Sequence, residues 1–333
     1  MYPNASDRSR RVYVTKTGEC RRRPGIALDE AVEAAKKIRE EFGRDIVLCM
    51  SGGIDSECMA RAFAEAKIPV RAAVARFMPG ALNEPDIVDA FKVCEQLGIP
   101  VQVFEIDLLQ FFEKEKKHLY YAEKYECRSP QLAVHMELLE RVRTEMNGVP
   151  VLGGNPIEVE FSRMAGCPIF LLPSEPHMSL LRYFAHQKIA GVPFFFSYTP
   201  ELIFSFWQTP QFESDLEIAH ENFQLFRRGE LPPLNLRQEW PFAYLGKVRK
   251  YQQGGFDIRA RSSKRTGFEE ARIFFRSYFL EKGKIDRDFP HEPFNYFYRK
   301  PLEELHPYPY PVGVVIPELY FPRPEFFKSG LEL

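Results

Sequence analysis

The chain has 333 residues, of which 45% are hydrophobic and 27% are charged, and its formal net charge is −1. This composition excludes global disorder, collagen-like repeats and coiled coils, and the balanced charge offers no overall attraction for nucleic acid or anionic membranes. No apolar run reaches the roughly 18 residues that a membrane helix needs, and no secretory signal is evident, so we expect a cytoplasmic protein with reduced thiols.

Helical and strand patterns alternate along residues 29–152. Apolar residues recur at helical spacing in the predicted helices, and short apolar runs mark the predicted strands. The predicted helices are 29–42, 55–66, 83–97 and 130–146, and the predicted strands are 46–50, 70–77, 101–106 and 149–152. Ser129, followed by Pro130, is the predicted cap of the last of these helices. This alternation predicts an α/β fold with a mostly parallel sheet and helices on both faces. In such a sheet, ligands bind outside the carboxyl ends of the strands.

A glycine turn follows the first of these strands. Residues 51–56 read Ser-Gly-Gly-Ile-Asp-Ser, so a strand, a tight turn and a helix start follow in order. Glycines let the backbone approach an anion, and the helix start offers unpaired N–H groups, which together favour a phosphate cradle. Asp55 suits a different task, because a carboxylate can help to hold a Mg²⁺ ion that bridges phosphates. A plain turn capped by Asp55 or Ser51 is the alternative that these residues leave open.

A second glycine turn follows the last predicted strand of this half. Gly153, Gly154 and Asn155 come directly after residues 149–152. Because the carboxyl ends of parallel strands meet at one edge of the sheet, we expect the two glycine turns to line one cleft.

The segment SGGIDS at 51–56 resembles the SGGxDS signature of the PP-loop ATP pyrophosphatases, the adenine nucleotide alpha-hydrolase-like superfamily. Every fixed position of the signature matches, and the resemblance extends over about residues 44–160. It implies a HUP/Rossmann-like domain that binds ATP and cleaves it between the α and β phosphates. Members of the superfamily adenylate a carboxylate, amide or carbonyl oxygen, and a nucleophile then displaces AMP.

The resemblance also implies roles for individual residues, with ATP and Mg²⁺ as cofactors. The cradle for the departing pyrophosphate would consist of Ser51, Gly52, Gly53, Ile54, Asp55 and Ser56. Residues 75–78, with Phe77 among them, would lie beside adenine. Gly153, Gly154 and Asn155 would close the nucleotide site, Glu158 would join Asp55 as a metal ligand, and Arg128 would contact the α-phosphate.

Two alternatives to a nitrogen-transferring ligase remain at this point. Some thiolases of the superfamily place a catalytic cysteine in the region of Cys127, so a sulfurtransferase is one alternative; the plain alternative for Cys127 is a half-buried thiol beside a helix cap. A nucleotide-binding or structural protein without turnover is the other.

The second half of the chain differs in composition. Aromatic residues number 12 in residues 1–160 and 35 in residues 161–333, which predicts an aromatic core or a homodimer interface there. Thr-Pro pairs at 199–200 and 209–210, and Thr266 with Glu269, predict helix starts. The last 45 residues show little periodicity and predict irregular structure. We therefore divide the chain into an N-terminal extension and helix (1–43), a nucleotide-binding domain (44–165) and a mostly helical substrate or oligomerisation region (166–333).

A basic segment occupies residues 247–265. Its cations are Lys247, Arg249, Lys250, Arg259, Arg261, Lys264 and Arg265, against the single acid Asp257. Three interpretations stay open: a lid over pyrophosphate, a site for an anionic substrate such as nucleic acid, and a solvated face. Lys264 and Arg265 are the preferred lid and catalytic candidates. The expected partners are therefore ATP and an unidentified acceptor, with nucleic acid not favoured and no membrane.

Overall fold

The computed structural model describes residues 14–16, 20–43, 45–125, 127, 129–154, 156, 158–162, 167–171, 175–188, 190–230, 242–261, 268–284 and 313–315. The elements, in chain order, are β1 (Val14–Lys16), α1 (Ala27–Phe42), β2 (Ile46–Cys49), α2 (Ile54–Glu65), β3 (Arg71–Met78), α3 (Glu84–Leu97), β4 (Val101–Asp107), a π-helical segment (Gln110–Lys114), α4 (Lys117–Tyr125), α5 (Pro130–Glu145), β5 (Val149–Leu152), β6 (Glu158–Ser162), β7 (Cys167–Leu171), α6 (Glu175–Gln187), a 3-10 turn (Phe195–Ser197), α7 (Pro200–Trp207), α8 (Pro210–Arg227), α9 (Phe242–Gln253), α10 (Glu269–Glu281) and β8 (Gly313–Val315). Within these ranges, no helix is both long and apolar enough to cross a membrane.

The main sheet is parallel and has the strand order β4-β3-β2-β5. The chain steps outward from β2 through β3 to β4 and then returns to the other side of β2 with β5. The carboxyl ends of β2 and β5 are level, since Cys49 pairs with Leu152. The direction of winding reverses between these two strands, and this is where open α/β sheets bind their ligands. The predicted α/β fold is confirmed.

Side chains of β2 alternate between two cores. Ile46 and Leu48 pack into one hydrophobic cluster with α1 and α2, whereas Val47 packs into another with α5 and α10. Successive residues of a strand point to opposite faces of the sheet, so an uninterrupted apolar run such as Ile46–Cys49 requires burial on both faces. Helices accordingly cover both sides.

Helix starts follow the predicted caps. The Ser129 hydroxyl accepts a hydrogen bond from the Leu132 N–H at 3.3 Å, and the Thr199 hydroxyl accepts one from Leu202 at 3.2 Å. Each cap is followed by a proline in the first turn. The helix expected after Thr266 is α10, but it begins at Glu269 with Phe268 at the N-cap position, two residues later than the predicted cap; Thr266 itself lies outside the described residues.

The aromatic clusters of the second half are buried within this chain. Phe195, Phe196, Phe206 and Trp207 are at most 1% exposed and join the cluster that contains α1 and α2. Their large apolar surfaces form core with the first half, as one of the two interpretations held. The boundaries at 43/44 and 165/166 stay predictions.

A second sheet, with the strand order β1-β8-β7-β6, was not predicted. Strand β1 pairs in parallel with β8, and β7 pairs antiparallel with both β8 and β6. The expectation that the last 45 residues are irregular is wrong at Gly313–Val315, which form β8. These strands have three to five residues, too few for an alternating pattern to be recognised.

Candidate active site

The glycine turn after β2 is held in shape by two serine hydroxyls. The Ser51 Oγ accepts the Gly53 N–H at 3.3 Å and lies 3.4 Å from the Ser56 Oγ. The Ser56 hydroxyl donates to the Gly53 carbonyl at 2.8 Å. Gly52 has a φ of +76°, a left-handed conformation that glycine adopts without strain. The turn thus places both hydroxyls beside the first turn of α2.

The start of α2 is open to an anion. Gly53 occupies the N-cap position, and no side chain among the described residues caps the helix. The first N–H groups of a helix lack partners within the helix and carry the positive end of its dipole. Together with the Ser51 hydroxyl, they form a donor-rich cradle of the kind that binds phosphate.

The second glycine turn touches the first. A Cβ atom added to Gly153 would lie 3.3 Å from the carbonyl oxygen of Asp55, so only a small residue permits this approach. Gly154 has a φ of +65° and lies against the Phe194 ring. The structure therefore brings together the two turns that the sequence placed in one cleft.

Two side chains of α9 contact the Asp55 carboxylate. The Lys247 Nζ lies 2.6 Å from Oδ2 of Asp55, and the Tyr251 hydroxyl donates to Oδ1 at 2.7 Å. The Asp55 and Lys247 side chains are 18% and 14% exposed, so the ion pair is largely withdrawn from water. Tyr251 is not one of the predicted site residues, although it lies four residues after Lys247 and therefore on the same face of the helix.

Two more cations of the basic segment are paired. Arg261 contacts Glu57 at 2.8 Å and Asp89 at 3.4 Å, which fastens the chain after α9 to α2 and α3. Lys250 lies 3.3 Å from Asp215 and is 5% exposed. The solvated-face interpretation therefore does not describe these residues. Among the described cations of the segment, Arg249 and Arg259 are exposed.

A cavity of about 240 Å³ opens at the reversal point of the sheet. One wall consists of predicted site residues, namely Ser51, Asp55, Ser56, Phe77, Gly153 and Gly154. A second part of the lining, here called the α5 and α6 wall, comes from α5, α6 and the segment before the 3-10 turn, with Gln131, His135, Leu138, Leu139, Leu180 and Phe194. Sequence reasoning missed this wall; the only signal was that Gln131 and His135 are four residues apart at the start of a predicted helix.

The edge of β3 beside the cavity is closed by a side chain. Asn83 accepts the Phe77 N–H at 2.7 Å and donates to the Ala75 carbonyl at 2.8 Å. These are among the main-chain groups that the resemblance assigns to adenine. The buried Asn83 amide therefore shapes the part of the cavity around Phe77.

The described cysteines near the site are unsuited to nucleophilic attack. Cys127 is fully buried, lies outside the cavity lining and donates to the Ser129 carbonyl at 3.5 Å. Cys49 lines the cavity, but burial raises the pKa of its thiol to about 12, which keeps it protonated at neutral pH. Neither cysteine supports the thiolase alternative.

Several predicted site residues cannot be placed. Arg128, Asn155, Lys264 and Arg265 lie outside the described residues. Glu158 is the first residue of β6, but its side chain is not among the described ones. Their roles stay predictions.

Asp55 fits a magnesium site of a particular kind. Among the described residues, no three His, Cys, Asp or Glu side chains converge as a metal cage. Magnesium in nucleotide enzymes is commonly held by one or two carboxylates, with phosphates and water completing the octahedron. A single carboxylate beside a phosphate cradle meets that requirement, with Asp55 as the ligand that the described chain provides.

Comparison with known proteins finds one family model. Residues 30–146 match the model described as NAD synthase. No curated protein matches the sequence.

The solved structures that resemble this chain include three at low identity. An NH3-dependent NAD synthetase from Campylobacter jejuni subsp. jejuni NCTC 11168 is 16% identical, with 71% of this chain and 97% of that chain covered and a TM-score of 0.35. An NMN synthetase from Francisella tularensis is 13% identical, with the same coverage and a TM-score of 0.31. The U34-tRNA thiolase NcsA from Methanococcus maripaludis, with its 4Fe-4S cluster, is 14% identical over 82% of this chain and 79% of that chain, at a TM-score of 0.28. Likeness at this level says nothing about what the present chain binds.

Proposed function

We propose that this chain, whose residues 30–146 match the NAD synthase family model, is an ATP-dependent, AMP-forming ligase of the PP-loop ATP pyrophosphatase superfamily. In this proposal it cleaves ATP between the α and β phosphates and adenylates a carboxylate, amide or nucleobase carbonyl. A nitrogen nucleophile then attacks the activated carbon and displaces AMP.

The observation that carries the proposal is the cradle at the start of α2. Ser51 and Ser56 present hydroxyls beside uncapped N–H groups, and the second turn at Gly153 closes within van der Waals distance. Donors fixed in advance around an anion stabilise the charge that develops on a leaving group without reorganisation. Pyrophosphate is the leaving group that suits this cradle.

Asp55 serves as the metal ligand in this proposal. When bound, Mg²⁺ neutralises charge on the phosphates and makes pyrophosphate a better leaving group. Tyr251 fixes the carboxylate through a 2.7 Å hydrogen bond to Oδ1. Because Tyr251 is fully buried, the orientation of Asp55 depends on the packing of α9.

The acceptor would enter against the α5 and α6 wall. This wall combines apolar side chains such as Leu139 and Leu180 with the polar side chains of Gln131 and His135. An apolar surface with a few polar groups is typical of sites that orient a small organic substrate. A pyrophosphate lid at Lys264 and Arg265 and a second metal ligand at Glu158 remain part of the proposal.

Calorimetric titration with Mg²⁺ and α,β-methylene ATP tests the nucleotide site. We expect micromolar binding by the unmodified protein and a loss of at least about tenfold in Asp55→Ala, because a phosphate-bridging ligand is removed. Asp45→Asn is the matched control, since Asp45 is 76% exposed and contacts Arg71 at the opposite end of β2. Absence of binding in the unmodified protein, or equal binding in Asp55→Ala, would contradict the proposal. Acceptors are then screened by pyrophosphate release.

A further inference from the structure

The two partners of Asp55 differ in how firmly they are held. Tyr251 is fully buried, and its ring lies 5.2–5.4 Å from the rings of Phe196, Phe206 and Phe256. Close packing against three aromatic rings restrains the movement of this ring. Its hydroxyl is therefore a fixed support for Oδ1 of Asp55.

Lys247 is the movable partner. Its ammonium sits at the end of a flexible four-carbon chain, and the side chain retains 14% exposure. It contacts Oδ2, the Asp55 oxygen that Tyr251 does not occupy. A rotamer change on α9 can carry the ammonium away from Asp55 while the carboxylate stays in place.

The position of Lys247 conflicts with a metal ion at the same oxygen. A cation at Oδ2 would lie within about 2 Å of that oxygen, which is the distance at which Mg²⁺ binds carboxylates. The ammonium, 2.6 Å from the same atom, occupies that place and repels a second cation. The repulsion between the two cations therefore disfavours their simultaneous binding to Oδ2.

We propose that Lys247 is a stand-in cation that Mg²⁺ displaces from Asp55, and that the released ammonium then binds the polyphosphate in the adjacent cradle. The second part rests on the proposed function. The exchange keeps the Asp55 carboxylate paired with a cation, since Mg²⁺ arrives as the ammonium leaves, and the additional positive charge of Mg²⁺ is balanced by the polyphosphate. It also delivers a positive charge to the phosphates only when both metal and nucleotide are present, so α9 contributes to the site at that moment.

The exchange predicts changes of opposite sign for one substitution. In Lys247→Met the competitor is absent, so Mn²⁺ used as a probe without nucleotide should bind more tightly, by about tenfold if Asp55 is paired nine-tenths of the time. Affinity for α,β-methylene ATP in excess Mg²⁺ should instead fall, because a phosphate-binding cation is lost. Lys247→Arg keeps the positive charge, so its Mn²⁺ affinity should equal that of the unmodified protein.

Manganese titration followed by electron paramagnetic resonance measures the first effect directly. Arg249→Gln is the matched control, because it removes an exposed cation from the same helix and should leave Mn²⁺ affinity unchanged. Asp55→Asn should abolish the site in either background, and the melting temperature reports whether each variant is folded. Unchanged or weaker Mn²⁺ binding in folded Lys247→Met, or no binding in any variant, overturns the proposal. If the nucleotide analogue fails to bind while Mn²⁺ affinity rises, the exchange at Asp55 holds and the ligase proposal fails.

Discussion

Gly52 lies directly against the main-chain carbonyl of Asp86, so that a Cβ atom added to Gly52 would sit 1.9 Å from that oxygen. The contact presses the glycine turn against the first turn of α3. A side chain at position 52 would therefore push the two elements apart as well as force a residue with a Cβ atom into a φ of +76°.

Gly52→Ala should accordingly destabilise the fold. We expect a loss of more than about 3 kcal/mol in the free energy of unfolding, since the backbone strain alone costs about 1–2 kcal/mol. Urea denaturation measures it. Gly283→Ala is the control, because Gly283 has a φ of +61° but nothing within 4 Å of an added Cβ. Equal losses in the two variants would show that the contact with Asp86 has no energetic weight.

Asn83→Ala should also lower the free energy of unfolding, by about 2 kcal/mol, because it leaves the main-chain groups of Phe77 and Ala75 without their partner. Asn83→Leu fills the volume but makes neither hydrogen bond, so it should remain destabilised in urea denaturation. Stability equal to that of the unmodified protein in Asn83→Leu would mean that packing, and not hydrogen bonding, is what Asn83 contributes.

Cys127→Ser tests the sulfur-transfer alternative. The thiol is buried and donates to the Ser129 carbonyl, and a serine hydroxyl can make the same hydrogen bond. We expect the rate of pyrophosphate release with a competent acceptor to stay within about twofold, since a change of 0.4 kcal/mol or less in a barrier has only that effect. Complete loss of turnover in a folded variant would instead assign the thiol a chemical role.

The hydrogen bonds of Glu113 should make the stability of the fold sensitive to acid. Its carboxylate accepts hydrogen bonds from Tyr278 and from Lys284, the latter at 3.0 Å, and these hold its pKa below the ordinary value of 4.5. A carboxyl group with a lowered folded-state pKa stabilises the fold above its unfolded-state pKa and loses that contribution as the pH falls through the folded-state pKa.

Glu113→Gln should therefore weaken the dependence of the free energy of unfolding on pH in the acid range. We expect the free energy of unfolding, measured by urea denaturation, to fall less between about pH 6 and about pH 3 than in the unmodified protein. The difference should be less than about 1 kcal/mol because the Glu113 side chain is 28% exposed. Glu123→Gln, at an exposed position of α4, should keep the original slope. The same slope in all three proteins would be the contrary result.

The features that sequence predicted are local ones. Strand β2 is an apolar run that ends at a glycine turn, and the caps at Ser129 and Thr199 lie beside the helices that they start. Each signal lies within a few residues of the structure that it specifies. The parallel sheet and the cleft followed because strand order and shared carboxyl ends are general properties of alternating α/β chains.

The features that sequence did not predict depend on distant partners. Lys247 and Tyr251 are separated from Asp55 by 192 and 196 residues, and a basic helix carries no mark of which carboxylate it will meet. The same holds for β1, whose partner β8 comes almost 300 residues later. The periodicity of a helix or strand indicates which of its faces is buried, but not which other element packs against that face.

The separation between Asp55 and α9 also sets an order of events during synthesis. A ribosome adds about 5–20 residues per second, so Lys247 is made roughly 10–40 s after Asp55. During that interval the Ser51–Ser56 segment is complete, whereas the two side chains that contact Asp55 have not yet been made. The support that α9 gives to Asp55 is therefore a late event, since the loop exists as a sequence well before the helix that contacts it.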